Sequence, residues 1–493
     1  MKIVLAGYNL DSTVIEELKR CSPRRDDVTP ETLSAAYARI SRDPRSADVL
    51  RAVARTEVER ARRSNRTIIF KMGHHSVAEH AVFNFDVIGV SRLAMEEIER
   101  FRLCSYTEKS QRYIKLEDDY FIPEEIKQSG HEEEFVSLIR RQNRAYHSLY
   151  AKLQPYFIET YPEMAADPKR RTILEGWAKE DSRYMLSLAT LGQLGMTLNA
   201  RNLEYMIRRL AAHPLAELRE FNRKIYELAK QVAPSIILFT EASDFDVLTY
   251  EELGQYSKEI MGGDDEDASA SVSLVDTTPE ADNRLAAALL HSGSSMSYQS
   301  CLENVRSLSR KSKMELVKRA LRHMEFYDSV PREFEYVSLT FALVVSGSCF
   351  AQLKRHRLAT LTAQPYDPEL GVVVPPSVEA VGAGHEFMQV IKETEDIFRE
   401  LRDARAAGAE YVLSNAHCRR VLWKVNAREF YHFSRLREDA TAQWDIRRMA
   451  AEMTRQAASL MPFTLLLIGG KDTYPEAYAA VFGRRPKAEP PPY

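Results

Sequence analysis

Arg100-Phe101-Arg102-Leu103-Cys104-Ser105-Tyr106-Thr107-Glu108-Lys109-Ser110-Gln111-Arg112-Tyr113 and Gln352-Leu353-Lys354-Arg355-His356-Arg357 decide the reading of this chain, because the same succession of elements leads into both. Before the first, Phe83, Phe85 and Val87 alternate with Asn84, Asp86 and Ile88, and Ala94, Ile98 and Phe101 then recur at helical spacing. Before the second, Leu339, Phe341 and Leu343 alternate, and Val345, Cys349 and Leu353 follow at helical spacing. Period two predicts a half-buried strand, and a period near 3.6 predicts a helix whose end delivers the basic cluster. Downstream of each, Asn-Ala-Arg opens an amphipathic helix: Asn199-Ala200-Arg201 with Leu203, Met206, Ile207 and Leu210, and Asn426-Ala427-Arg428 with Phe430, Phe433 and Leu436.

Arg355 lies 255 residues after Arg100, and Asn426 lies 227 after Asn199, so the first copy carries 28 more residues between the two landmarks. They fall around Glu117 to Asp181, where Phe135, Leu138 and Tyr146 predict an extended helical connection. Two copies at so long a period are paralogous domains and not a solenoid, whose repeats run to about 20–50 residues. A length of 493 residues suggests about three average domains, but the repeat reduces it to two larger ones. The break lies at Gly262-Gly263-Asp264-Asp265-Glu266-Asp267 and the Ala, Ser and Thr residues after it, which offer almost nothing to a core. The expected organisation is a domain over 1–257, an acidic linker over 258–282, a domain over 283–482 and a loose Pro-rich tail over 483–493.

Composition is that of a globular protein, with 44% apolar and 28% charged residues. A net charge of −3 excludes polyanion binding by the chain as a whole. Nucleic acid is not an expected partner, since no stacked-aromatic motif accompanies the arginines. Five dispersed cysteines, Cys21, Cys104, Cys301, Cys349 and Cys418, form no C-x-x-C pair and indicate a reducing compartment. The N-terminus lacks a secretory h-region, and Val337 to Leu353, the best apolar stretch, is interrupted by Ser, Thr and Gly; the expectation is a cytoplasmic protein with no membrane partner.

Three arginines, two serines and a glutamate within Arg100–Tyr113 suit a phosphate or pyrophosphate, because guanidinium supplies planar, permanently charged donors. A solvated charged face is the plainer alternative. Gly73-His74-His75-Ser76-Val77-Ala78-Glu79-His80 lacks the i, i+4 histidine pair of a zinc helix, so it is read as a pocket lining and no metal is expected. Neither a G-x-G-x-x-G turn nor a phosphate-binding P-loop is present. Cys349 follows Gly347-Ser348, but it falls on the apolar helix face and reads as a core thiol.

The first string resembles the R-H-R-x-x-S-x-N-E-x-S-x-R-Y signature of the flavin-dependent thymidylate synthases, matching at Arg100, Arg102, Ser105, Glu108, Ser110, Arg112 and Tyr113 and departing at Phe101 and Thr107. The stretch from His74 through Ser76, Glu79 and His80 to Phe85 looks like that family's flavin-contacting segment. In the second half Gln352 with Arg355-His356-Arg357 restores Gln-x-x-Arg-His-Arg. Asn426-Ala427-Arg428, His432, Leu436-Arg437 and Ala442-Gln443-Trp444-Asp445 are similar to the C-terminal signature, whereas Leu358 to Tyr366 lacks the substrate loop. The resemblance implies an α+β fold of two tandem synthase-like domains, each a small sheet with long packed helices.

It further implies transfer of a carbon from methylenetetrahydrofolate to deoxyuridylate (dUMP), with FAD as cofactor and NADPH as reductant. By the same resemblance Ser110, Arg112 and Arg437 are the catalytic candidates, and Glu108, Ser110, Gln111, Arg112, Arg183, Gln352, Arg355 and Arg437 would hold deoxyuridylate. FAD would be held by His74, Ser76, Glu79, Arg100, Arg102, Asn199, Arg201, Arg355, His356, Arg357, Asn426, Arg428 and His432. The first half keeps Glu108, Ser110, Arg112 and Arg183 but has Glu97 in place of Gln352 and Leu210 in place of Arg437; the second half has Glu410 in place of Arg183. Such complementary losses suggest active sites composed from both halves, in a homodimer that forms a pseudo-tetramer of four domains. A non-catalytic flavin- or nucleotide-binding paralogue is the alternative.

Overall fold

The computed structural model describes residues 1–20, 29–40, 45, 47–66, 75–112, 118–261 and 271–488. Cys21, His74, Tyr113, positions 262–270 of the acidic segment and 489–493 of the tail lie outside them. The chain forms two compact units: Met1–Asp264 with Pro376–Ser414, and Asp265–Pro375 with Asn415–Tyr493.

Each unit is built on a four-stranded antiparallel sheet. In the first, β1 (Lys2–Tyr8), β2 (Val82–Ser91), β3 (Ser105–Glu108) and β4 (Leu191–Asn199) lie in the order β1-β2-β4-β3. In the second, β5 (Val272–Thr277), β6 (Ser338–Ser346), β7 (Thr360–Tyr366) and β8 (Cys418–Asn426) lie in the order β5-β6-β8-β7, the same topology again. Alternation explains the two inner strands. Phe83, Phe85 and Val87 of β2 are buried, as are Leu339, Phe341 and Leu343 of β6. Phe85 sits opposite Met196, and Phe341 opposite Trp423. In the second unit the core continues through Phe430 stacked on Phe341 at 5.7 Å and Phe433 against Trp423 at 4.9 Å.

The inner strands run straight into helices, and a polar side chain makes each junction. Ser91 and Ser346 cap helices Arg92–Ile98 and Gly347–Leu353, their hydroxyls accepting from the backbone N–H of Ala94 and Cys349 at 3.0 Å. Asn199 and Asn426 cap helices Ala200–Leu210 and Ala427–Arg437, accepting from Asn202 at 3.0 Å and Glu429 at 2.9 Å. Caps satisfy N–H groups that a helix cannot satisfy itself, so strand ends and helix starts coincide. Both serine hydroxyls also donate to a carboxylate on a later helix. Ser91 bonds Glu217 of helix Ala216–Val232 at 2.6 Å, and Ser346 bonds Asp445 of helix Trp444–Leu460 at 2.7 Å.

Several sequence expectations are corrected. The segment 258–282 is not all linker: helix Thr249–Met261 enters it, β5 forms the edge of the second sheet and helix Ala281–Ser292 begins before it ends. β5 is only six residues long, and its Val272, Leu274 and Val275 are mixed with Ser273, Asp276 and Thr277 without strict alternation, too short a signal to stand out as a strand. The second domain is not the contiguous 283–482, because Pro376–Ser414 packs with the first half. There Gln142, buried in helix Glu132–Thr160, donates to Thr394 Oγ1 at 2.9 Å and to the carbonyl of Val412 at 2.8 Å. That 29-residue helix is the predicted extended connection, and Phe135, Leu138 and Tyr146 are on its buried face. The tail is not wholly loose either, since Lys487 accepts from Phe326 N–H at 3.1 Å and its own N–H donates to Glu325 at 2.5 Å. Proline prevents interior sheet pairing but leaves such single edge bonds open. The stretch Val337–Leu353 is mostly β6 and a seven-residue helix, and no described helix is long and apolar enough to cross a membrane.

The Ser346–Asp445 bond is testable by a double-mutant cycle. Ser346→Ala removes a cap and a buried donor together, and should cost about 1–3 kcal/mol. With Asp445→Ala as the second arm, urea unfolding should give a coupling energy of about 1–2 kcal/mol; additive losses would show that the two side chains do not support each other.

Candidate functional site

In the first unit β3 and the turn after it lead into Ser110, Gln111 and Arg112, all half-buried. Arg92, 3% exposed, reaches Glu96 and Glu108 at 3.1 Å each, so Glu108 is tied to the helix that precedes the loop. Arg112 is ion-paired with Glu180, and its backbone N–H donates to Ser110 Oγ at 3.2 Å, which tightens the turn. Arg183 follows directly on helix Pro168–Ser182 and is buried. Burial lowers its pKa, Glu180 and Tyr184 offset part of that, and Arg112 and Arg92 add to it by repulsion. Three arginines thus sit among three carboxylates, Glu96, Glu108 and Glu180. An incoming phosphate here would exchange with Glu180 for Arg112.

In the second unit Arg355 and Arg357 are exposed while His356 between them is buried. The imidazole meets Glu429 through Nδ1 at 3.3 Å, and its Nε2 accepts from Arg437 Nε at 2.9 Å. Arg437 also donates to the carbonyl of Gln352 at 3.2 Å, and the Gln352 amide donates to Gln443 at 3.5 Å. Guanidinium has only donors, so Nε2 must hold its lone pair and Nδ1 the proton: the ring is neutral. Burial pushes its pKa well below the ordinary value, with Arg437 and His432 adding to the effect. Burial pushes the Glu429 carboxyl up, and His432 and Arg428 pull it part of the way back.

His356, Glu429 and His432 bring one ligand atom each within 4.8 Å of one another, the one such group among the described residues. A metal on Nδ1 would require a proton on Nε2, because a ligating imidazole donates through its other nitrogen. Arg437 already donates there, so this arrangement suits a proton-ordered chain better than a metal ion. Cys349 is no nucleophile in these surroundings: it is 1% exposed, and burial raises its thiol well above the usual range, Asp445 and Cys418 adding to the rise.

The other candidates divide by what already holds them. Asn199 and Asn426 are occupied as helix caps. Arg201 pairs with Glu79 at 2.5 Å, and Arg428 reaches Glu335 at 3.3 Å and the carbonyl of Val330 at 3.0 Å. The two arginine–glutamate pairs are repeat equivalents, each joining Asn-Ala-Arg to the short 3-10 turn before the inner strand. Arg100 pairs with Glu97 at 2.6 Å; Ser76, Arg102 and His432 are exposed. Phe101, where the signature has histidine, meets Tyr205 edge-on at 5.7 Å. Sequence reasoning missed Arg92, Glu180, Glu217, Glu335 and Glu429. Aligning the copies at offsets near 255 and 227 could have found Glu335 as the counterpart of Glu79, but the partner of Arg112 is visible only in three dimensions.

The family model described as thymidylate synthase complementing protein matches this chain twice, over residues 26–235 and 273–463. A UPF0159 protein of Thermoplasma acidophilum is 24% identical over 90% of this chain and 95% of its own length. A flavin-dependent thymidylate synthase of Clostridium tetani is 30% identical over 36% of this chain and 69% of its own length, and one of Geobacter sulfurreducens is 31% identical over 34% and 65%.

The neutral His356 has a consequence for stability. In the unfolded chain a histidine takes up a proton near pH 6.5, whereas the folded chain refuses it until well below that. The contribution is therefore complete above about pH 6.5 and is lost as pH falls. Denaturation midpoints should drop between about pH 7 and pH 5 in the wild type and less in His356→Gln. Glu429, which titrates in the opposite sense, is common to both proteins. Parallel curves would show that His356 is not held neutral.

Proposed function

The chain belongs to the thymidylate synthase complementing protein family, and on that premise we propose that it is a flavin-dependent thymidylate synthase, methylating deoxyuridylate with methylenetetrahydrofolate and NADPH. Each half keeps the part of the residue set that the other has lost, and the activity needs both parts. The observation that carries this reading is the hold on Arg437: its bonds to His356 and to the Gln352 carbonyl fix the guanidinium in one direction. A random surface arginine has no reason to be so held.

Arg112 and Arg183 grip the nucleotide phosphate, with Ser110 and Gln111 against the base. Before the nucleotide arrives Glu180 keeps Arg112 in place, which limits reorganisation on binding. Arg437, with Gln352, faces the base carbonyls, where negative charge grows during methyl transfer; a preoriented donor is worth most there. Gln352 is 4% exposed, and its Oε1 finds no hydrogen-bond donor among the described residues, which suits a place beside a polar ligand.

The donors present suit a dinucleotide. Arg355 and Arg357 project to solvent on either side of the buried His356, as phosphate recognition requires, and Arg102 and Ser76 are exposed in the first half. FAD, when bound, supplies the redox chemistry, and the protein supplies placement. His356, Asn199, Asn426, Arg201 and Arg428 act as supports of that surface, since their polar groups are engaged within the fold. The protein works in the cytoplasm as a homodimer.

Tritium release from 5-tritiated deoxyuridylate, with methylenetetrahydrofolate and NADPH, is the direct assay. Arg112→Ala and Arg437→Ala should each lower kcat/KM by ~100-fold or more, and gel filtration should give the mass of two chains. Flavin-free protein that binds deoxyuridylate yet releases no tritium would leave the non-catalytic paralogue in its place. Full activity after loss of either arginine would refute the need for both halves.

A further inference from the structure

The chain Glu429–His356–Arg437 begins and ends on one helix. Glu429 lies in the first turn of Ala427–Arg437, its backbone N–H held by Asn426 at 2.9 Å, and Arg437 is the last residue. Eight residues separate them, about 12 Å along the axis, and the imidazole of His356 joins the two. The directions of the bonds are forced. Arg437 can only donate, so Nε2 accepts, Nδ1 carries the hydrogen, and Glu429 is the acceptor that the hydrogen finds at 3.3 Å. Glu429 and His356 are both buried, so no water competes freely for these bonds.

The first unit provides an internal control. Asn202, Phe101 and Leu210 occupy the places of Glu429, His356 and Arg437, so all three members are replaced together. Asn202 turns its amide back to Asn199 Oδ1 at 2.8 Å, Phe101 packs on Tyr205, and Leu210 enters the core. Chemistry explains the joint loss. A buried imidazole without the arginine has an unsatisfied Nε2, and without the carboxylate it has no reason to keep its hydrogen on Nδ1. Three groups that persist together in one copy and are absent together in the other act as one device.

We infer that Glu429 is a positioning residue: by accepting from Nδ1 it fixes the tautomer of His356, which keeps Nε2 open to Arg437 and aims the guanidinium before the nucleotide binds. This rests on the proposed role of Arg437 at the base. Glu429 itself touches neither substrate nor cofactor. With the tautomer reversed, Nε2–H would confront Nε–H of Arg437, and the arginine would turn away.

The test uses the full chain with its histidine rings labelled with nitrogen-15, as wild type, Glu429→Gln, Glu429→Leu and Arg437→Ala, with His356→Gln to assign the signal. Long-range proton–nitrogen correlation should show His356 as the Nδ1–H tautomer in the wild type and in Glu429→Gln, whose amide oxygen still accepts. Glu429→Leu should lose that preference. By calorimetry, Glu429→Leu should bind deoxyuridylate ~10-fold or more weakly, while Glu429→Gln stays within ~3-fold of wild type, at thermal midpoints showing both folded. An Nε2–H tautomer in the wild type overturns the inference. So does wild-type affinity in Glu429→Leu when Arg437→Ala has lost it, or loss of tautomer and affinity in folded Glu429→Gln. If Glu429→Leu does not fold, the wild-type and Glu429→Gln tautomers decide. If the wild type binds no deoxyuridylate, or Arg437→Ala binds it unchanged, the nucleotide reading fails while the tautomers still judge the relay.

Discussion

Everything the two sheets present depends on a serine that ends an inner strand and begins a helix. Its hydroxyl accepts from the first helical turn and donates to a buried carboxylate on a helix far along the chain: Glu217 for Ser91, Asp445 for Ser346. One oxygen therefore fixes three elements. In the first unit the carboxylate also accepts from the Ser91 backbone N–H at 2.7 Å and the Tyr411 hydroxyl at 2.8 Å; burial raises its pKa, and these three donors work against that rise. Glu in one copy and Asp in the other show that the constraint is a carboxylate at that place, not a particular side-chain length. The helices so fixed lead into the arginine loops, Arg100–Arg112 in one unit and Arg355–Arg357 in the other, so the chemistry of each loop is set from the core outward.

On this common frame the two units hold their charge differently. The first buries a network of alternating arginines and carboxylates, whose cost in desolvation is met only because each charge has a neighbour of opposite sign. The second buries a neutral ring between an acid and a guanidinium, and the two arginines that flank the ring in sequence are exposed. The same strand-to-helix geometry therefore supports a set of mutually compensated charges in one unit and an arginine oriented by a neutral imidazole in the other.

Much of this was legible in the sequence because the signals were local. β2 and β6 declare themselves by alternation, the Asn-Ala-Arg helices by their apolar face, and the long connection by Phe135, Leu138 and Tyr146. What escaped was nonlocal or weakly apolar. β5 is an edge strand whose few apolar residues are scattered among Ser, Asp and Thr. Arg428 and Asn426 belong to a motif that the resemblance links to FAD, and what the sequence does not show is that one bonds Glu335 and the other caps a helix. His356 stands out in the sequence through the Arg-His-Arg run, but its partner Glu429 is 73 residues away and has no periodic signature.

The return of Pro376–Ser414 to the first unit has a consequence for biosynthesis. Strands β1 to β4 are complete once Asn199 has been made, but the acceptors of Gln142 lie at Thr394 and Val412, 252 and 270 residues later. The donor of Glu217, Tyr411, comes 194 residues after it. The amino-terminal unit thus cannot close while it emerges from the ribosome; it waits until most of its successor has been translated. Nascent multidomain chains generally fold from the amino terminus, and here the first unit's completion is delayed until Ser414, well inside the span of the second. In the interval before then, Gln142 and the part of helix Glu132–Thr160 that packs on Pro376–Ser414 lack their partners.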